Sequence, residues 1–236
     1  MPEEEIQILR DEKHKLAEIM RQDGKELVFE EYALIPEETI IHTTQLKDEI
    51  EKLKDLVYKD ELTGVLNRRG FLEKFNGLFE TAIYHKKNPK TERKFEVGSF
   101  SLLFLDGDNF KSVNDSYGHD EGDKVLKAIA NVLKDSVRSA DSVGRFGGEE
   151  FVVALLGASE EDAYNKAEEI RRKMPNVIKI DQNPDHMITA SIGVASIDKS
   201  DADNLDELIA YADQAMYEAK SNRGKNNTVK FSELAK

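Results

Sequence analysis

Val143-Gly144-Arg145-Phe146-Gly147-Gly148-Glu149-Glu150-Phe151-Val152-Val153-Ala154-Leu155-Leu156 decides how the chain is read. Val143–Phe146 and Phe151–Leu156 are two short apolar runs separated by two glycines and two glutamates, the pattern of a β-hairpin. Upstream, Ser99–Leu105 (SFSLLFL) is apolar without alternation, which predicts a strand buried on both faces. Helical periodicity surrounds these strands. Arg69–Ile83 places Phe71, Leu72, Phe75, Leu78 and Phe79 on one face, and further helices are predicted over Asp120–Val137, Ser159–Lys173 and Leu205–Lys220. Met187–Ile197 contains another strand, and the Lys-rich stretch His85–Lys94 reads as a loop. Some strands follow one another directly and others are separated by helices, so the fold class is α+β, with a central, largely antiparallel sheet flanked by helices.

The chain divides near residue 58, into an N-terminal helical region, 1–57, and a larger domain, 58–236. In the first part, Ile6, Leu9, Leu16, Ile19 and Met20 have roughly helical spacing, broken at Asp23-Gly24. Leu27–Ile35 is either a short strand or a helix, ended by Pro36. Leu46, Ile50, Leu53 and Val57 then follow the 4-3-4 spacing of a coiled-coil seam. The seam is short, so the same residues also fit an amphipathic helix packed on its own domain.

Of the 236 residues, 39% are hydrophobic and 34% charged, as in a soluble globular protein, and no apolar run is long enough for a membrane span. The opening Met1-Pro2-Glu3-Glu4-Glu5 lacks the features of a secretory signal, and cysteine is absent, so a cytoplasmic protein is expected. A net charge of −13 opposes binding to a nucleic acid polymer. A single nucleotide remains compatible if divalent cations stand between carboxylates and phosphates.

Acidic residues stand in two places where they are costly. Asp106 ends the buried strand, with Asp108 two residues on, and Glu149 and Glu150 lie at the hairpin tip beside two glycines that let the chain turn tightly. If the hairpin pairs beside the first strand, these carboxylates converge at one edge and repel one another unless they bind cations. Each feature alone also has a plainer explanation. Asp106 or Asp108 could cap a helical turn at Phe110–Val113, and the hairpin tip could be a solvated turn.

Beyond this point resemblance adds what spacing cannot. Gly147–Phe151 resembles the signature of the GGDEF/GGEEF family of diguanylate cyclases. Five further segments resemble that family's motifs in the same order: Asp60–Arg69 (DELTGVLNRR), Asp106–Asp115 (DGDNFKSVND), Gly118–Asp123 (GHDEGD), Ala190–Ala195 (ASIGVA) and the closing Tyr217–Lys220. The resemblance covers residues 58–231. It implies a fold similar to nucleotidyl cyclase and polymerase palm domains, and condensation of two GTP into cyclic di-GMP with release of two pyrophosphates at a homodimer interface.

The resemblance also implies roles. Asp106, the Gly107 carbonyl and Glu149 would hold two Mg²⁺ or Mn²⁺ ions per site, with Glu149 and Glu150 as the catalytic carboxylates. Asn114 and Asp123 would read guanine, while Phe110, Lys111, Gly147, Gly148 and Lys220 would complete the substrate site. The family's closing motif usually reads A-K-x-x-G-R/K-N, and Ala219–Asn226 carries one extra residue, so either Arg223 or Lys225 would be the second phosphate cation. Gly107 stands where the family often has an aliphatic residue, which a carbonyl ligand tolerates. Arg138-Ser139-Ala140-Asp141 resembles the family's R-x-x-D site for product inhibition by cyclic di-GMP, with Arg171 as an added cation; an exposed ion pair is the plainer reading. Two rival functions are a catalytically weak cyclic di-GMP receptor and a relaxed cyclase that also uses ATP.

Overall fold

The computed structural model describes residues 37–88 and 99–234, with side chains from residue 45 onward. The expectations for Ile6–Met20 and Leu27–Ile35 lie outside the described residues. Contacts divide the chain between Leu53 and Lys54, and Lys54–Lys236 is one compact unit. Helix α1 runs from Glu37 to Tyr58, and along it Leu46, Ile50, Leu53, Leu56 and Val57 are all exposed, Leu56 most of all at 69%.

From there the order is β1 (Leu66–Asn67), α2 (Arg68–Lys87), β2 (Phe100–Gly107), α3 (Phe110–Tyr117), α4 (His119–Ser136), β3 (Ser142–Arg145), β4 (Glu150–Leu156), α5 (Glu160–Val177), β5 (Ala190–Ser196), α6 (Leu205–Ser221) and β6 (Thr228–Lys230). One six-stranded sheet results, ordered β1-β3-β4-β2-β5-β6. Strand β2 is central and antiparallel to both β4 and β5, and β3 pairs antiparallel with β4. Both borders of the sheet are parallel, β1 with β3 and β5 with β6. The sheet is therefore mixed, with an antiparallel centre.

Strand β2 is buried over its whole length, and its alternation divides the core in two. Leu103 and Leu105 face a cluster that includes Val113, Leu126, Ile129, Leu133, Ile170 and Met174. Phe100, Leu102 and Phe104 face the other cluster, with Phe71, Phe75 and Phe79 from α2 and Leu208 and Ala212 from α6. This explains the unbroken apolar run: a strand with helices on both sides has no solvent face to mark with polar residues.

Helix α6 lies close on β5 because Gly193 has no side chain. A Cβ there would stand 1.9 Å from the Ala212 carbonyl oxygen and 2.2 Å from the Met216 nitrogen. That approach carries the far end of α6 to the end of β2. Elsewhere the helices run slightly past their predicted limits. Helix α2 extends to Lys87, into the stretch expected to be a loop, and α5 continues through Pro175 to Val177.

Candidate active site

The hairpin and the central strand pair so that Asp106 stands opposite Glu150. Three successive carbonyls of the turn are occupied: Gly148 O accepts from Arg145 Nη2 (2.7 Å), Glu149 O from Gly107 N (3.2 Å), and Glu150 O from Phe146 N (2.9 Å). Arg145 also donates from Nη1 to both oxygens of Asp60, at 3.0 and 3.1 Å. Partial burial works against the Asp60 charge, but bonds from Thr63 and Arg145 hold its carboxyl below the ordinary range. With its backbone fixed in this way, the tip presents the Glu149 and Glu150 side chains. Neither Gly147 nor Gly148 adopts a positive φ, so the tight turn expected of them is not why they are glycines. A Cβ at Gly147 would stand 2.2 Å from Glu150 Oε2, whereas Gly148 has open space around it.

Among the described residues, Asp106 is paired with one lysine, and the two glutamates of the hairpin tip form no ion pair. Burial, and then the charge of Asp106, pushes the Glu149 carboxyl up; burial followed by Asp106, Asp213 and Glu149 does the same for Glu150. Asp106 is itself pushed up by burial, even though Lys220 Nζ donates to its Oδ1 at 2.6 Å. Asp108 differs. Its Oδ2 accepts from Thr189 Oγ1 (2.7 Å) and Asn226 N (2.9 Å), and its Oδ1 from Ser191 Oγ (2.7 Å). Asp108 therefore does not cap α3; the capping position is Asn109, in the left-handed region at φ 58°.

A cleft of about 410 Å³ opens beside Glu149, lined by Asn109, Phe110, Lys111, Ser112, Asp115, Glu149, Lys220 and Lys225. Three lysines and one glutamate in this wall suit a phosphate chain brought in beside carboxylates. Lys225 Nζ donates to Asn109 Oδ1 at 2.6 Å, within the cleft. Arg223 turns elsewhere, 3.8 Å from Glu218 and 3.7 Å from Glu233. Asn114 is half-buried on α3, and Asp123 is exposed in the first turns of α4. A Cβ at Gly122 would stand 1.9 Å from Asn114 Oδ1, so that glycine lets the Asn114 amide lie against α4 one residue from Asp123.

The donor set fits a hard divalent cation. Asp106 and Glu149 supply carboxylate oxygens next to the Gly107 backbone, and burial, more than mutual repulsion, pushes both carboxyls up. Among the described residues, no three acidic or histidine side chains already stand at metal-binding spacing.

Residues 57–227 match the family model described as "Diguanylate cyclase, GGDEF domain". The chain belongs to the GGDEF family. Over 192 residues it is 37% identical to diguanylate cyclase DgcM of Escherichia coli K12, an alignment that covers 80% of this chain and 42% of DgcM. The chain thus spans well under half the length of that relative. A solved active GGEEF domain of a diguanylate cyclase from Vibrio cholerae is 31% identical, with a TM-score of 0.60, over 70% of this chain and 96% of that one. Diguanylate cyclase SiaD from Pseudomonas aeruginosa, solved with its activator SiaC, is 29% identical with a TM-score of 0.66, over 97% of this chain and 80% of that one.

In this GGDEF domain the R-x-x-D segment is a surface turn. Asp141 Oδ2 accepts from Arg138 N (3.0 Å) and Asp141 Oδ1 from Leu156 N (3.1 Å), while Arg138 is exposed. Arg171 makes other commitments, to Glu168 and Asn226. Sequence reasoning assigned no role to Asp60, Gly122 or Asn226, and offered Asp108 only as a helix cap or as part of the acidic edge. All four lie inside quoted motifs, which was a usable signal. The contacts of Asn226 with Asp108 and Arg171 are distant in sequence.

Proposed function

We propose that this GGDEF protein is a diguanylate cyclase that condenses two GTP into cyclic di-GMP. One observation carries the reading: the Asp106–Glu150 register sets a carboxylate edge against a cleft lined by Lys111, Lys220 and Lys225. The 3′-oxygen of each GTP forms a bond to the α-phosphorus of the other. Each α–β phosphoanhydride bond breaks, each hydroxyl loses its proton, and two pyrophosphates leave. Glu149 accepts the 3′-hydroxyl proton, a role open to a carboxylate that lines the cleft. Lys111, Lys220 and Lys225 hold the phosphate oxygens and offset their charge. Lys220 is shared between Asp106 and the phosphates, while Arg223, turned to Glu218 and Glu233, is left out. Asn114 and Asp123 read guanine by hydrogen bonding, so adenine would leave polar groups unpaired. Two Mg²⁺ or Mn²⁺ ions, held by Asp106, the Gly107 carbonyl and Glu149, with Glu150 beside them, would supply charge stabilisation and alignment of the reacting oxygens.

A cleft of this size takes one triphosphate, so the two half-sites come from two chains. The exposed residues Leu46, Ile50, Leu53 and Val57 on α1 support a paired helix that raises the effective concentration of the domains. Removing residues 1–57 should lower the sedimentation-measured dimer affinity and steepen the dependence of specific activity on protein concentration. Cyclic di-GMP also limits the enzyme at Arg138 and Asp141, where a free guanidinium faces solvent. The deciding experiment is incubation with GTP and Mg²⁺, then with ATP, followed by chromatography. Cyclic di-GMP and two pyrophosphates from GTP alone are expected. No product would leave a receptor, and a mixed product would mean a relaxed cyclase.

A further inference from the structure

After α6 the chain runs Gly224-Lys225-Asn226 with φ of 85°, 65° and 44°, three successive residues in the left-handed region. Only the first is glycine; Asn226 tolerates this region better than most residues, whereas Lys225 holds a conformation that L side chains disfavour. Contacts on several sides maintain it. Lys225 N donates to Ala219 O (3.2 Å), Asn226 N donates to Asp108 Oδ2 (2.9 Å), and Ile192 N donates to Asn227 O (2.9 Å). The remaining hold comes from α5. Arg171 Nη1 donates to both Asn226 O (3.1 Å) and Asn226 Oδ1 (2.9 Å).

Arg171 is itself well fixed. Its Nε and Nη2 donate to the two oxygens of Glu168 at 2.7 and 2.9 Å, and both side chains are largely shielded. Such a planar fork leaves one edge of the guanidinium free in a set direction, which a lysine could not reproduce. Here that edge meets Asn226, the residue next to Lys225, whose ammonium stands in the cleft at Asn109.

We propose that Arg171 is a positioning residue for substrate phosphate: through Asn226 it holds the left-handed loop that keeps Lys225 in the cleft. The inference rests on the phosphate role proposed for Lys225. It gives Arg171 a task on the substrate side of the domain, where the sequence resemblance implied one in product inhibition.

The test uses 3′-deoxy-GTP with Mg²⁺, which binds as a triphosphate but lacks the attacking hydroxyl, so no product accumulates to occupy an inhibitory site. Calorimetric affinities are compared for the full-length protein, Arg171→Ala, Lys225→Met and the double variant. Loss of one well-placed cation should weaken binding about tenfold in Lys225→Met, and loss of its support somewhat less in Arg171→Ala. The double variant should bind within about twofold of Lys225→Met alone, because Arg171 acts only through that lysine. If Arg171→Ala does not fold, Asn226→Gly keeps the backbone conformation but loses the Oδ1 contact. It should weaken binding by about threefold, and not at all once Lys225 is Met. Losses that multiply, or wild-type affinity in Arg171→Ala beside a weakened Lys225→Met, would overturn the inference and leave the phosphate reading intact. Unchanged affinity in Lys225→Met would remove both.

Discussion

Asp106 and Asp108 lie two residues apart at one end of one strand, and both are buried, at 6% and 5% exposure. Their surroundings are opposite. Asp108 faces β5 and the loop after α6, where two hydroxyls and a backbone N–H are donated to it. Asp106 stands opposite Glu150 of the hairpin, with one ammonium donating to it and two glutamates that repel it. Burial alone therefore does not mark a functional acid. A carboxylate whose donors all come from its own chain is part of the framework, and one left short of donors is available to an outside cation.

The strongest way to break this comparison is Glu149→Gln, on the open side. Cyclic di-GMP formation should fall by roughly 10²–10³-fold or more, as when a transition-state-stabilising group is removed. The fold should survive, since the carboxyl is held in a state that disfavours its charge. Chromatography of product and a thermal melt check both halves, and a folded variant with substantial turnover would remove Glu149 from the chemistry.

The closed side answers with stability. Asp108→Ala leaves Thr189, Ser191 and the Asn226 N–H without their acceptor, which should cost about 2–4 kcal/mol in denaturant unfolding. An unfolding midpoint equal to the wild type would show that Asp108 is not framework.

Glu168 sharpens the same contrast by pH. The Arg171 bonds come first, and outweigh burial, in lowering its carboxyl from the ordinary 4.5 to about 2. A lowered folded-state value means that the stabilisation is complete above about pH 4.5 and is lost as pH falls toward 2. It amounts to no more than about 3 kcal/mol. Glu168→Gln should flatten that acid limb and lower stability at neutral pH, which unfolding measured from pH 2 to 7 would reveal.

The smallest effect is expected at the R-x-x-D turn. Asp141 is paired with backbone N–H groups in the manner of Asp108, whereas the Arg138 guanidinium is exposed. Arg138→Ala should raise the inhibition constant for added cyclic di-GMP about tenfold, a loss of one charge-assisted contact. Equal constants would reduce the turn to surface chemistry.

The contrast also shows what a sequence displays and what it hides. Ser99–Leu105 and the hairpin were legible because burial on both faces and glycine-punctuated turns leave local marks. Strands β1 and β6 were not, being two and three residues long and paired in parallel with segments far away in the chain. In the site, Asp106, Glu149 and Glu150 could be seen as acids beside apolar strands, a position that a helix cap or a solvated turn would share. Lys225 could not be chosen over Arg223 from spacing. Three left-handed residues and two distant anchors, Asp108 and Arg171, decide which cation turns to the cleft. Gly122 likewise has meaning only beside Asn114.

The brevity of β1 and β6 limits what a neighbouring chain could add to this sheet. The inner strands Phe100–Gly107 and Glu150–Leu156 are long, apolar and rich in β-formers, the kind of segment that recruits like segments into fibrils when an edge is available. Here the edges are two and three residues of ladder, and β6 runs straight into a 3₁₀ turn at Phe231–Glu233. Borders so short offer a neighbouring chain too few backbone groups to add a strand. A ladder of backbone hydrogen bonds between chains is thereby disfavoured at both borders, although long apolar strands lie between them.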